Sequence, residues 1–305
     1  MENRGVIIIS VLIICFTAAA ILIYSASKTH VNIEGSDKIN VAVSIPPQAE
    51  FVERIGGDKV KVTTMVPAEA NLHTYEPLPE QLKEISNAKM YVKVGSGLEF
   101  ENVWMDKLTE INKNMLVVNS SKGINFIPDQ DTEEHHHKHR VESQYDTHTW
   151  VSPRNAKIMV ENIYHGLIQV DPANKDYYNA NKDKYLQELY NADKNITATL
   201  AGVKGKKILV HHPGWGYFCR DYGLTQIAIE KDGKEPTPQG MVSLIDQAKR
   251  ENIRVVFVSP QFSRKSAEKV ASEIGGQVVV INYLDKNYIE NLKKVAEAFR
   301  NSLQN

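Results

Sequence analysis

Apolar and polar residues alternate along most of the chain with two periods, one typical of strands and one typical of helices. In the first half, short β-branched runs predict strands at residues 40–45, 59–66, 90–94 and 115–119. Helical spacing between these runs predicts helices at residues 48–55, 79–87 and 100–112. This order predicts βα units around a mostly parallel sheet.

The same alternation resumes in the second half of the chain. It predicts strands at residues 207–211, 225–229, 254–258 and 277–281, and helices at residues 238–251 and 263–274. Between the halves, residues 174–200 contain neither Gly nor Pro, and Tyr178, Tyr185 and Leu189 recur at helical spacing. We therefore predict an α/β fold with two Rossmann-like lobes joined by one long helix. The predicted parts are an N-terminal lobe at 39–173, the helix at 174–203 and a C-terminal lobe at 204–305.

The N-terminus departs from this pattern because residues 6–24 are apolar and carry no charge. At about 1.5 Å per residue, the run covers nearly all of a hydrocarbon core of about 30 Å. We predict a membrane anchor or signal segment at residues 1–27, followed by a polar tether at 28–38. Small residues at 25–27 would permit cleavage, so the folded part is expected outside the cytoplasm, either anchored to the cell membrane or secreted or periplasmic.

Composition excludes some partners and some sources of stability. The formal net charge of −1 gives no field that would gather polyanions, so nucleic acid is not an expected partner, and we expect a monomer. Of the two cysteines, Cys15 lies in the apolar run, where a bilayer would keep it from Cys219. Without a disulfide, the exported part must be stabilised by a large core.

Three of the ten histidines lie in predicted loops at well-separated points of the chain. His73 comes after the strand at 59–66, His148 lies in Asp-Thr-His-Thr-Trp-Val-Ser-Pro at 146–153, and His212 follows the strand at 207–211. Loops at the carboxyl ends of parallel strands converge on one crevice, so the three imidazoles can meet there. Neutral imidazole suits Zn²⁺, and Asp146 could orient one ring. Taken singly, each histidine could equally be a capping or stacking residue.

The blocks at 71–77, 146–153 and 212–218, in this order and spacing, resemble the ligand motifs of the cluster A-I solute-binding proteins of zinc and manganese ABC importers. The similarity extends over about residues 39–300 and includes Glu-Pro-Thr-Pro at 235–238. The resemblance implies that His73, His148 and His212 are metal ligands in an interlobe cleft, that an ABC transporter permease is the partner, and that the protein is not an enzyme. His211 matches no ligand position.

The sequence departs from this family at the fourth ligand. The family often supplies Asp in Asp-Pro-Leu after the last strand, whereas this chain has Asn282 in Asn-Tyr-Leu-Asp at 282–285. The fourth position could hold water, Asn282 or Asp285, and we favour three histidines plus water. If all three histidines take up protons near their ordinary pKa of about 6.5, zinc affinity should fall steeply between about pH 7 and pH 5.

Zinc is the expected cargo, and manganese or another divalent metal is the alternative. An all-imidazole site is softer than a mixed carboxylate site, and affinity rises from Mn²⁺ toward Zn²⁺. The sequence Glu-Glu-His-His-His-Lys-His at 133–139, in a polar loop at 129–145, could collect zinc weakly. In the family, such a loop before the second ligand histidine is typical of zinc-specific members.

Two other functions use the same residues. A zinc hydrolase would explain three histidines with an open position, and His73 and Glu76 imitate a His-x-x-Glu pair. Against it, the chain has no His-Glu-x-x-His sequence and no Gly-flanked serine elbow. An adhesion or sensor protein with a structural zinc is the second alternative, and its fold should be lost on chelation.

Overall fold

The computed structural model describes residues 38–128, 145–230 and 233–304. The apolar segment at 6–24, the tether up to residue 37 and the histidine-rich sequence at 133–139 lie outside the described residues. Within the described ranges, no helix combines the length and apolar character needed to cross a membrane. The described chain from Ile39 onward belongs to one compact unit.

The N-terminal lobe is built on a four-stranded parallel sheet in the order β2-β1-β3-β4. Its strands are β1 (Ile39–Val43), β2 (Val60–Thr64), β3 (Met90–Lys93) and β4 (Leu116–Asn119). Its helices are α1 (Pro46–Gly56), α2 (Pro79–Asn87), α3 (Glu99–Ile111) and α4 (Pro153–Val170). The loops that follow β2, β3 and β4 therefore share one edge of the sheet.

The C-terminal lobe repeats this architecture with the order β6-β5-β7-β8, again all parallel. Its strands are β5 (Lys207–Val210), β6 (Thr225–Ala228), β7 (Val255–Val258) and β8 (Gln277–Val280). Taken in chain order, its strands occupy the same sheet positions as those of the first lobe. The two lobes thus share one topology although the sequence shows no repeat. The helices of this lobe are α6 (Gly216–Tyr222), α7 (Pro238–Arg250), α8 (Arg264–Glu273) and α9 (Tyr288–Gln304), and α5 (Lys175–Leu200) precedes it.

Helix α5 carries the chain from one lobe to the other and packs on α1 and α4 as well as on α9. Tyr185 of this helix lies 6.1 Å from Phe51 of α1, and Phe51 meets Tyr288 of α9 edge-on at 4.8 Å, measured between ring centroids. These rings belong to one apolar cluster that extends through both lobes. A smaller cluster, with Leu209 and Val256 among its members, lies within the second lobe alone.

The eight strands lie where the sequence predicts them, with ends that differ by at most two residues. Strand β2 ends at Thr64 rather than at residue 66, yet Met65 and Val66 continue to donate to β1 and the loop after it. The predicted helices leave out α4, α6 and α9. Helix α6 is short and almost entirely buried, so it shows no amphipathic pattern, whereas α9 does carry one in Leu292, Val295 and Phe299. The lobe boundaries at 173 and 204 stay a prediction.

Candidate metal centre

His73 lies in the loop between β2 and α2. Its backbone N–H donates to Oδ1 of Asn71 at 2.9 Å, a local turn that sets the direction of the side chain. Its Nδ1 lies 3.1 Å from Oε2 of Glu99, the first residue of α3, within ion-pair distance but off the direction of a good hydrogen bond. Its Nε2 is buried, and none of the described residues forms a hydrogen bond with it. His73 therefore keeps one ring nitrogen for a ligand.

His148 lies in the loop between β4 and α4 and is 5% exposed. Asp146 contacts His148 at two points. Oδ1 of Asp146 accepts a hydrogen bond from the backbone N–H of His148 and lies 2.8 Å from Nδ1 of the His148 ring. A carboxylate can only accept, so Nδ1 carries the proton and Nε2 keeps a lone pair. Farther along, the Ser152 side chain accepts from the N–H of Asn155 and caps α4, which anchors the end of this loop.

His212 follows β5 and is 9% exposed. Its Nδ1 lies 2.8 Å from Oε2 of Glu230, a residue just beyond β6. The ring of Phe262 stacks on it, with centroids 4.7 Å apart and planes 23° apart. This stacking excludes water from one face, so the orientation of His212 is set by packing and by Glu230 together.

The structure brings together the three histidines that the sequence singled out. They come from the carboxyl edges of β2, β4 and β5, and each offers one ring nitrogen within 4.8 Å of the others. Nε2 of His148 and Nε2 of His212 are 3.2 Å apart. Two nitrogens bound to a tetrahedral zinc at about 2.0–2.1 Å lie about 3.3 Å from each other. The spacing of this pair therefore fits zinc, and binding itself stays a prediction.

Each histidine of the cluster has a carboxylate behind it, namely Glu99, Asp146 and Glu230. Such partners orient the ring, select the tautomer that leaves Nε2 bare and raise its basicity. The sequence alone points only to Asp146 for this role, and Glu99 and Glu230 emerge from the structure. Their signal was present but weak, since both are acidic residues shortly after predicted parallel strands.

Burial favours the neutral form of His212, and contacts with histidines favour the ionised forms of Glu99 and Glu230. Burial lowers the pKa of His212 to about 4; the nearby His148 and His73 act in the same direction, against the hydrogen bond with Glu230. Burial works to raise the pKa of Glu99, but the contact with His73 and its charge outweigh burial and lower that pKa to about 2. The pKa of Glu230 is lowered in the same way by His212, against the effect of burial. A cation binds best to a neutral imidazole whose other ring nitrogen contacts an ionised carboxylate.

Comparison with known proteins gives the family of this chain. The model of the family described as zinc-uptake complex component A, periplasmic, matches residues 41–302. The chain belongs to this family. A curated relative from Bacillus subtilis, a high-affinity zinc uptake system protein named ZnuA, is 30% identical over 95% of both chains.

Solved structures agree with this assignment. A crystal structure of ZnuA is 40% identical, covers 87% of this chain and 99% of that one, and superposes with a TM-score of 0.81. A deletion mutant of ZnuA with zinc bound is also 40% identical with a TM-score of 0.81, and covers 88% of this chain and 98% of that one. The chain is thus a zinc-uptake solute-binding protein with the two-lobe fold, and its family comprises metal-binding transport receptors rather than enzymes.

This chain departs from the family's pattern at the fourth ligand, for which the sequence leaves water, Asn282 and Asp285 open. Oδ1 of Asn282 already accepts from Nε2 of Gln261 and from the N–H of Leu284, both at 2.9 Å. Oδ1 of Asp285 accepts from the N–H of Asn287 at 2.9 Å, and Asp285 is outside the cluster of possible ligands. These oxygens therefore stabilise the loop after β8.

His211 is buried beside the cluster without belonging to it. Its Nε2 lies 2.8 Å from the hydroxyl of Ser266 and 3.5 Å from Oε1 of Glu235. Two adjacent histidines thus take different environments, because His211 is directed toward α8 and His212 toward the metal centre.

Proposed function

We propose that this protein is an extracytoplasmic receptor that holds one zinc ion on His73, His148 and His212 and delivers it to an ABC transporter permease. The observation that supports the proposal most strongly is the convergence of three ring nitrogens, each imidazole having a carboxylate at its opposite nitrogen. Three neutral donors and one remaining position suit tetrahedral zinc. The zinc named for the ZnuA relatives supports the same metal.

The donor set also supports zinc over manganese. Manganese prefers carboxylate and water oxygens, whereas the cluster offers only imidazole nitrogens as inward-facing ligands among the described residues. The three carboxylates contact the outer ring nitrogens and act on the ion through the rings. We therefore expect manganese to bind the same site more weakly.

The location and partners follow from the N-terminal segment and the family. We infer that residues 1–27 export the chain and either remain as a membrane anchor or are cleaved, which leaves the receptor outside the cytoplasm. A receptor of an uptake complex must present its cargo to a permease, and we propose that it does so as a monomer. Since the proposed role is capture and release, no catalytic step is assigned to the centre.

Replacement of each ligand in turn tests the proposal. We expect His73→Ala, His148→Ala and His212→Ala each to weaken zinc binding by at least a hundredfold in competition titrations, because each removes one of three coordination bonds. The far-ultraviolet circular dichroism should stay unchanged. His165→Ala is the matched control, since His165 is exposed on α4. Wild-type affinity in two of the three ligand variants would refute the three-histidine site.

A further inference from the structure

The hydroxyl of Tyr283 is a buried polar group that the proposed ligand set does not use. Tyr283 is 3% exposed, and none of the described residues forms a hydrogen bond with its hydroxyl oxygen. By contrast, six other buried tyrosines use their hydroxyls in hydrogen bonds, namely Tyr91, Tyr178, Tyr185, Tyr217, Tyr222 and Tyr288. A buried hydroxyl without a partner destabilises a protein, so its presence calls for a reason.

The position of Tyr283 supplies that reason, because its ring borders the metal centre. The ring meets that of His148 at 78° with centroids 5.3 Å apart, and the ring of His212 at 6.0 Å. Nε2 of His73, the third nitrogen of the centre, is likewise buried without a hydrogen bond from the described residues. Two buried polar atoms that lack a hydrogen-bond partner among the described residues therefore belong to residues around one site.

The loop after β8 holds Tyr283 firmly in this position. The indole N–H of Trp150 donates to the carbonyl of Tyr283 at 2.7 Å, and the hydroxyl of Tyr288 donates to the carbonyl of Trp150 at 2.6 Å. Trp150 belongs to the His148 loop of the first lobe, so these bonds fix the Tyr283 loop to the loop that carries a ligand. The ring is therefore placed by both lobes.

The hydroxyl of a tyrosine can donate one hydrogen bond and accept others. Because the Tyr283 hydroxyl has no hydrogen-bond partner among the described residues, its proton is free for a group in the site. The phenol can therefore donate to an oxygen that binds the metal.

Resting on the three-histidine zinc site, we propose that the Tyr283 hydroxyl donates a hydrogen bond to the water in the fourth coordination position of bound zinc. Tyr283 is then a positioning residue for that water, and it acts on the ion through it. Oδ1 of Asn282 and Oδ1 of Asp285 accept hydrogen bonds from N–H groups instead, and neither oxygen can donate one to the water.

Tyr283→Phe tests this inference, because it removes the hydroxyl and keeps the ring. We expect zinc affinity to fall about tenfold at unchanged stoichiometry, as when other outer partners of metal ligands are lost. The visible spectrum of the Co²⁺ complex should change, since it reports the fourth ligand. The thermal midpoint of the metal-free variant should equal or exceed that of the wild type, because no protein hydrogen bond is lost.

The matched control is Tyr222→Phe, since the Tyr222 hydroxyl donates to Asp193 at 3.0 Å. This control should lower the metal-free midpoint and leave zinc affinity and the Co²⁺ spectrum unchanged. Unchanged affinity and spectrum in Tyr283→Phe would overturn the inference, as would tighter zinc binding by Asn282→Asp, which would place residue 282 at the ion.

A second measurement does not depend on how the variant folds. In a high-resolution crystal structure of the wild-type zinc complex, we expect one water bound to zinc and within hydrogen-bond distance of the Tyr283 oxygen. A zinc ion with a protein atom as fourth ligand would overturn the inference and leave the receptor function intact. Failure of the wild type to bind zinc at all would instead refute the proposed function.

Discussion

At the scale of single residues, three chemically identical side chains differ in what surrounds them. His212 is buried under Phe262 and backed by Glu230, whereas His73 is partly exposed and faces Glu99 at the start of α3. Burial disfavours the charged imidazole, and it dominates the shift at His212. Three ordinary imidazoles would share a pKa of about 6.5, and burial makes His212 an exception.

The pH dependence of zinc binding should show this difference. With a pKa of about 4, His212 stays neutral between pH 7 and pH 5 and takes up no competing proton there. The pKa values of Glu99 and Glu230 are lowered, so these carboxylates stay ionised over the same range. Protons then compete with zinc at two imidazoles at most. Zinc affinity should therefore fall by no more than about a hundredfold for each unit by which the pH is lowered. Zinc titrations at half-unit steps measure the slope, and three decades per unit would show that all three histidines compete.

At the scale of elements, the metal centre depends on how closely α6 approaches the His148 loop. Gly216 begins α6, and a β-carbon there would collide with Oδ2 of Asp146 and lie 3.1 Å from Cδ1 of Ile127. The hydroxyl of Tyr217, the next residue, donates to the carbonyl of Asp146 at 2.9 Å. The start of α6 thus holds Asp146 in place behind His148, and only glycine leaves room for it.

Gly216→Ala should therefore weaken zinc binding through Asp146. We expect about a tenfold loss of affinity from the displaced carboxylate, and a loss of about 1–3 kcal/mol in the free energy of unfolding from the overpacked contact. Titration and denaturant unfolding measure the two effects. Gly202→Ala is the control, because a β-carbon at Gly202 meets nothing within 4 Å. Full zinc affinity in Gly216→Ala would mean that Asp146 does not hold His148 for the metal.

At the scale of the whole molecule, the lobes are connected by packing rather than by the metal centre alone. Phe51, Tyr185 and Tyr288 join α1, α5 and α9 in the cluster that extends through both lobes. A core of this kind supplies folding free energy without any ion. The fold depends on it, because the cysteine among the described residues, Cys219, is free and forms no disulfide.

Chelation should accordingly remove zinc without unfolding the protein. We expect unchanged far-ultraviolet circular dichroism in excess chelator and a cooperative thermal transition of the metal-free protein. Added zinc should raise the free energy of unfolding by about 2.7 kcal/mol when free zinc is a hundred times the dissociation constant. Loss of the helical signal on chelation would instead favour a structural zinc and with it the adhesion or sensor alternative.

The sequence by itself determined the strands, the long helix and the loops that carry His73, His148 and His212. These features depend on local periodicity and on which residues follow a strand, and both are present in short stretches of chain. Periodicity does not reveal α6, because five of its seven residues are buried and it has no amphipathic stripe, whereas the stripe of α9 is present in the sequence. The family resemblance implies that these three histidines are metal ligands, and the structure shows that their ring nitrogens converge.

Only the tertiary structure decided what surrounds those nitrogens. Glu99 and Glu230 pair with histidines from other loops, Asn282 turns to Gln261, and the Tyr283 ring borders two of the clustered histidines. Each of the contacts with Glu99, Glu230, Gln261 and Tyr283 joins residues that are well separated in the chain, and the direction of a side chain in a loop depends on the packing of both lobes. Local periodicity carries no information about such directions, so the residues around the histidine cluster could be found only once the chain was folded.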